Sequence, residues 1–401
     1  MSANLSSVFD CIPKPLNGIN WEPSPSDYTS LPAPTKYGDT DFANADFVSL
    51  WGLNGTTNVG RNDLATIKNM GFNAVKMYNW SVPAPNGYWM RDHLSFLTQA
   101  QSLGLSVIVP ISNYFTGMAY NNRTNNGNTG GPTSVGATTL QQWITWIVTE
   151  VYSNNNAPGP AIMWAIGNEY DNSNLGTTGY CEAQDIATIA QYIVNAEESL
   201  GILAENVLAF TSPVTTALIP VNSSISCAPP YSTLMGGCAI NALLTAFGSS
   251  LGARFVASIN SYQTGDQLTS YYTTFPTIFP SLSFFYGELG WSEGNGGATV
   301  QAQNVYNQLT TTIPEASSHG CYYGACLFEF SDELWKGPTG SSETTFGIYT
   351  FPSTAPTTFA NEGNHSPVWG AQYPVDAFVA RTAVGCAQSA LQGSTPPNGC
   401  T

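Results

Sequence analysis

Two glutamates stand out by their settings. Glu169 closes the apolar run of MWAIGNEYDN (163–172) behind Gly167 and Asn168, and Glu288 sits in SFFYGELGWSEG (283–294) with glycines close on both sides. Both stretches read as buried strands ending at polar, glycine-rich turns, so each carboxylate should emerge at the carboxyl end of its strand. Two carboxyl groups at one rim can cleave a glycosidic bond: one protonates the departing oxygen while the other attacks or stabilises the oxocarbenium-like carbon. Retention of configuration asks for a separation of roughly 5–5.5 Å, close enough that each carboxylate raises the proton affinity of the other. On this reading Glu169 is the acid/base, Glu288 is the nucleophile, and Asn168 is placed to hydrogen-bond a sugar 2-hydroxyl. The bland alternative makes both ordinary strand-end acids paired with Lys or Arg. It is weakened by the scarcity of bases, ten Lys and Arg in 401 residues.

The elements that must position these groups follow from periodicity. Short apolar runs near 16–21, 72–78, 105–111, 160–167, 206–211, 254–260, 282–288 and 323–330 alternate with helix-period segments. Eight such units predict an α/β fold of the (β/α)8 TIM-barrel class, whose sites lie at the carboxyl face of the sheet. The segment 137–153 puts Leu140, Trp143, Ile144, Ile147, Val148 and Val151 on one helical face, and 183–200 does the same with Ile186, Ile189, Ala190, Ile193 and Ala196. Further helices are expected near 60–70, 91–103, 238–250 and 299–312. The stretches 113–134, 212–238 and 337–371 read as insertions in the βα loops. With no internal repeat and no linker, the expectation is one catalytic barrel over 1–401, with 388–401 an extended tail.

Composition narrows the partners. The chain is 42% hydrophobic, enough for a sizeable core, and only 9% charged, with 26 acids against ten bases. A net charge of −16 without a basic stripe excludes nucleic acid and suits a neutral polysaccharide. Eight cysteines, none in CxxC spacing, read mostly as disulfides, with Cys227–Cys238 and Cys321–Cys326 as local pairs. Asn-x-Ser/Thr sequons begin at Asn4, Asn54, Asn79, Asn122, Asn222 and Asn364, which fits a secreted or wall-associated glycoprotein. MSANLSSVFD has neither the basic nor the apolar region of a signal peptide, and no run reaches 18 apolar residues. No cofactor is expected. Three histidines without ligand spacing disfavour metal catalysis, and neither a G-x-S-x-G elbow nor a phosphate-binding glycine loop is present.

In this order along the chain, several motifs resemble family 17 of the glycoside hydrolases, the β-1,3-glucanases and related glucanosyltransferases. VKMYNW (75–80) is similar to the family's Arg-x-Tyr strand end, which implies a subsite role for Tyr78 with Asn79 beside it. GNE (167–169) is similar to the acid/base motif, SINSYQ (258–263) to Asn-x-Tyr, implying Tyr262, and GELGWSEG (287–294) to Glu-x-Gly-Trp-Pro. FEFSDELWKGPTGSSETTFGIYT (328–350) resembles the eighth strand and its loop, which implies Glu333 and Lys336 at the site. The chain departs from the family pattern at Lys76, where Arg is usual, and at Ser292, where Pro is usual. Trp291 and Trp335, beyond the seventh and eighth strands, are expected to offer aromatic faces to a sugar ring, as are Tyr78, Tyr114 and Tyr262. The resemblance implies a retaining enzyme acting on β-1,3-glucan. The opening GINWEPSPSDY and the SFFYGE strand also resemble family 72, which keeps glucanosyl transfer as an alternative. A barrel retained only to bind wall sugar is the alternative of another class, and a monomer is the default assembly.

Overall fold

The computed structural model describes residues 8–22, 62–80, 93–124, 136–154, 156–171, 182–215, 236–338, 341–353, 359–361, 372–374 and 377–401. Eight parallel strands form a barrel: β1 (Leu16–Asn20), β2 (Ala74–Lys76), β3 (Ser106–Ile111), β4 (Ala161–Ile166), β5, β6 (Ala257–Ser261), β7 (Phe284–Leu289) and β8 (Tyr322–Leu327). Strand β5 runs in two pieces, Ala209–Thr211 beside β4 and Pro213–Val214 beside β6. Its two halves therefore close the ring that β1 completes between β2 and β8. This is the expected (β/α)8 architecture, with strand bounds within a few residues of those the apolar runs predict.

Inside the ring, Leu16, Ala74, Ile108, Ala165, Ala209, Phe285 and Cys326 pack as one buried cluster with Val8 and Ile12 of the N-terminal turn. Their strand neighbours Ile19, Val75, Val107, Val109, Trp164, Phe210 and Tyr286 belong to the larger cluster between sheet and helices. The two-residue pleat separates these sets, so the sheet is apolar on both faces and its strands read as continuous apolar runs. Gly18 is required here, because a Cβ would lie 2.4 Å from Cys326 Sγ.

The helical ring contains α1 (Asp63–Met70), α2 (Leu94–Leu103), α3 (Asn113–Thr124), α4 (Ala137–Val151), α5 (Ala183–Ser199), α6 (Gly236–Gly252), α7 (Gly265–Ile278), α8 (Ala298–Thr312), the short α9 (Glu315–Ser318) and α10 (Thr382–Gln392). All six apolar residues predicted on the inner face of α4 are buried. At about 1.5–3 kcal/mol for each large side chain, that face holds the helix to the barrel, and a charge at Ile144 would detach it. Three helices correct the sequence reading. Residues 113–124 of the expected insertion are α3, which buries Phe115, Met118 and Ala119 along one side. Helix α7 forms despite Pro276, and residues 388–392 of the expected extended tail finish α10.

A disulfide between Cys386 and Cys400 folds the last residues back on α10, which packs against α8. Cys321 and Cys326 are free thiols, which corrects their expected pairing. Cys321 directly precedes the extended strand β8 and Cys326 lies near its end, and five residues at about 3.3 Å each hold their Cα atoms far beyond the roughly 7 Å limit of a disulfide. Cys238 is disulfide-bonded, while Cys227 lies outside the described residues. Asn79 is 2% exposed, so its sequon cannot carry a glycan on the folded protein; of the other sequons, only Asn122 is within the described residues. No described helix is long and apolar enough to cross a membrane.

Candidate active site

The carboxyl ends of the strands surround a cleft of about 430 Å³. Its lining brings together eight of the ten residues expected at the site: Tyr78, Asn79, Asn168, Glu169, Tyr262, Glu288, Glu333 and Lys336. Tyr114 lines it as well. Trp291 does not; its indole N–H donates to Asn295 O at 3.0 Å within its own turn. The side chain of Trp335 lies outside the described residues.

Glu288 faces the cleft because β7 carries an extra residue. Tyr286 pairs with Ile259 of β6, but Glu288 pairs with Asn260; on the other side Tyr286 pairs with Ala325 and Leu289 with Leu327 of β8. Three steps along β7 thus match two along β8, a bulge that re-aims the following side chain. Gly287 sits in the bulge, where a Cβ would lie 2.1 Å from Ser258 Oγ. Any side chain here would force Ser258 and Asn260 to move.

Three groups hold the Glu288 carboxylate. Tyr262 donates a short hydrogen bond to Oε2, Tyr78 donates to Oε1 at 2.7 Å, and Lys76 Nζ lies 3.4 Å from Oε1. Lys76 is held in turn by Asn20 Oδ1 at 3.1 Å and lies 4.1 Å over the Tyr78 ring. The Asn20 amide cannot be turned around, since its Nδ2 donates to Gly287 O and Leu327 O, leaving Oδ1 to accept from Lys76. Burial pushes the Glu288 carboxyl up, but the Lys76 charge and the two phenol donors outweigh it and hold it below the usual carboxylate range. Burial and the Glu288 charge push both Tyr78 and Tyr262 well above the ordinary tyrosine range, which keeps them neutral donors.

Glu169 stands on a tight turn at the end of β4, with a φ of 51° in the left-handed region, after Gly167 at 67°. A non-glycine residue keeps such a backbone only where its surroundings dictate it. Here Gly167 N donates to Ile111 O at 2.7 Å and Glu169 N to Pro213 O at 2.9 Å. Asn113 brackets the intervening residue: Oδ1 accepts from Asn168 N at 2.8 Å and Nδ2 donates to Asn168 O at 3.2 Å. The Glu169 side chain accepts from Asn260 Nδ2 at 3.0 Å, and the same nitrogen is 3.2 Å from Asn168 Oδ1. Asn260, paired along the sheet with Glu288 and hydrogen-bonded to Glu169, links the two carboxylates.

The loop after β8 adds a second charged group. Buried Glu333 pairs closely with Lys336, whose Nζ lies 4.5 Å over the Phe328 ring. Burial lowers the proton affinity of Lys336, but Glu333 and Glu329 outweigh it and raise the net value. Glu329 is 2% exposed, and burial followed by the Glu333 charge pushes its carboxyl well above the usual range. Among the described residues, no group of three or more His, Cys, Asp and Glu side chains could hold a metal ion.

Sequence reasoning missed Lys76, Asn20, Asn113, Asn260 and Glu329. Lys76 and Asn260 lie inside quoted motifs, and inward alternation along β1 and β6 was the available signal for Asn20 and Asn260.

Neither a family model nor a curated protein matches the chain. Solved structures do. A glucosidase from Croceicoccus marinus is 12% identical over 95% of this chain and 68% of its own, with a TM-score of 0.54. CJP38, a β-1,3-glucanase and allergen of Cryptomeria japonica pollen, is 13% identical over 75% of this chain and 95% of its own, at 0.47. The chain spans 40% of the length of another match, an FMN-binding β-glucuronidase from Faecalibacterium prausnitzii that is 11% identical over 82% of this chain, at 0.46. At such identities the likeness to the glucosidase is one of fold alone: this chain has the barrel of that enzyme.

Proposed function

We propose that the protein is a retaining β-glycosidase acting on β-1,3-glucan, with Glu288 as nucleophile and Glu169 as acid/base. The observation that carries the reading is the unequal treatment of two carboxylates lining one cleft. Glu288 is buried yet kept ionised by Lys76, Tyr78 and Tyr262, as an attacking carboxylate must be. Glu169 faces the same cleft, where its carboxylate accepts from the Asn260 amide. In the first step Glu288 bonds to the anomeric carbon while Glu169 gives its proton to the departing oxygen. In the second, Glu169 takes a proton from water, and the resulting hydroxide displaces Glu288 with a second inversion. As charge leaves Glu288, its phenol donors are freed to bond ring or hydroxyl oxygens.

Linkage choice rests on the ordered motifs that resemble family 17, and a neutral sugar suits a cleft whose two lysines, Lys76 and Lys336, are paired with Glu288 and Glu333. The disulfide Cys386–Cys400 fits an oxidising compartment, in keeping with a secreted or wall-associated protein. The test is reducing-end release from laminarin by the parent protein and by Glu169→Gln and Glu288→Gln. Turnover that falls by at least about 10³-fold in each, with unchanged unfolding curves, supports the reading. Near-parental turnover in either variant removes that residue from the mechanism, and binding without release by the parent turns the barrel into a sugar-binding scaffold.

A further inference from the structure

We infer that Asn113 is a positioning residue for the acid/base: its amide grips the backbone of Asn168 and so fixes the direction in which Glu169 presents its proton. The inference rests on the proposed role of Glu169 and extends it to a residue outside the two motifs that supply the carboxylates.

Asn113 opens α3 directly after β3, while Glu169 follows the neighbouring strand β4. Its Oδ1 accepts the Asn168 N–H and its Nδ2 donates to the Asn168 carbonyl, so both polar atoms of one peptide residue are satisfied by one side chain. That pairing fixes the amide orientation without ambiguity. It also spans the turn at its weakest place, between Gly167 at a φ of 67° and Glu169 at 51°. Two successive departures into the left-handed region flank Asn168, and a backbone in that state relaxes unless neighbouring contacts hold it. The close fit is visible at Gly167, where an added Cβ would lie 3.2 Å from Asn113 Oδ1. Asn260 holds the Glu169 carboxylate itself, and Pro213 O holds its N–H. Without Asn113, the peptides on either side of Asn168 would each lose a side-chain bond, and the turn that aims the carboxyl would rely on Ile111 O, Pro213 O and Asn260. Misplacement of a proton donor by about 1 Å can cost on the order of 10²-fold in rate.

Proton donation matters in proportion to how badly the leaving group needs it, and this separates positioning from general damage. We would measure kcat/KM, which reports the step that breaks the glycosidic bond, on two aryl β-laminaribiosides. One carries dinitrophenol, which departs unprotonated; the other carries plain phenol, which needs the acid. The variants are Asn113→Ala, which removes both bonds, and Asn113→Asp, which keeps the acceptor for Asn168 N–H but loses the donor. Glu169→Gln is the reference, and thermal unfolding checks the fold of each. Expected is a loss of about 10- to 100-fold on the phenyl substrate with less than about 3-fold on the dinitrophenyl one, in both Asn113 variants, following a steeper split of the same kind in Glu169→Gln. Equal losses on both substrates, or none, would overturn the inference while a split in Glu169→Gln leaves the proposed function standing. If Glu169→Gln shows no split, Glu169 is not the acid and both readings fall together.

Discussion

Replacing Lys76 by Met removes the one cation that reaches Glu288 at 3.4 Å, in a place where both side chains are almost fully buried. Coulomb's law at that distance and an effective dielectric of about 20 gives an attraction of about 5 kcal/mol, an upper bound because water and the phenols answer part of the loss. Deleting one partner of a buried pair typically costs about 3–5 kcal/mol. Met fills most of the space, so the packing beneath Tyr78 survives. The sign of the pH effect follows from Glu288, which folding holds below its ordinary value of 4.5. Its ionisation therefore contributes stability above about that pH, and the contribution is lost as pH falls through the lower folded value. In Lys76→Met the carboxyl gains proton affinity. The stability difference from the parent should be largest at neutral pH and shrink below pH 4.5, and the acid limb of kcat/KM should move to higher pH. Urea unfolding across pH, with a pH–rate profile on laminarin, reads both. A stability difference that does not change with pH, together with an unmoved acid limb, would refute the assignment of Lys76 as the charge that keeps Glu288 ionised.

Tyr262→Phe removes the short donor to Glu288 Oε2. A hydrogen bond to a charged group is worth about 1.5–3 kcal/mol, so kcat/KM should fall on the order of 10- to 150-fold with little change in unfolding midpoint; a loss below about 3-fold would count against the bond. Arg381 meets both oxygens of buried Asp332 at 2.6 and 2.8 Å and Glu293 at 2.7 Å, tying the loop after β8 to the start of α10. Arg381→Gln should cost about 3–5 kcal/mol in urea unfolding, and a cost under about 1 kcal/mol would show the tie to be incidental.

What the sequence made legible follows from how local each signal is. Strands β4 and β7 announce themselves as apolar runs that end at glycine, so Glu169 and Glu288 are found without knowing their neighbours. The site around them is a different matter. Asn20, Lys76 and Glu288 come from β1, β2 and β7, and only the barrel's closure makes them adjacent. Glu329 is hidden because the resemblance directs attention to Glu333 and Lys336, and its raised proton affinity depends on burial that no local pattern reveals. Helix α3 is hidden in an Asn- and Gly-rich stretch whose three buried apolar residues, packed against the neighbouring helices α4 and α5, are enough to override weak propensity. Helix α7 is not named by the sequence reading; it keeps its helical form through Pro276 because the preceding turns bury Leu268, Tyr271, Tyr272 and Phe275. Trp291 is placed as a platform by its position after β7, but it does not line the cleft that holds Glu169 and Glu288.

The central claim is that Glu288 attacks and Glu169 moves the proton, and chemical rescue of the two glycine variants by azide tests it most directly. With an activated aryl β-glucoside, Glu288→Gly leaves a space in which azide replaces the nucleophile in a single displacement, giving the α-glycosyl azide. Glu169→Gly still forms the glycosyl enzyme, which azide then opens to the β-glycosyl azide. Product configuration by NMR decides between the outcomes: an α product from Glu288→Gly and a β product from Glu169→Gly are predicted, whereas exchanged configurations, or no azide adduct from either folded variant, would contradict the account.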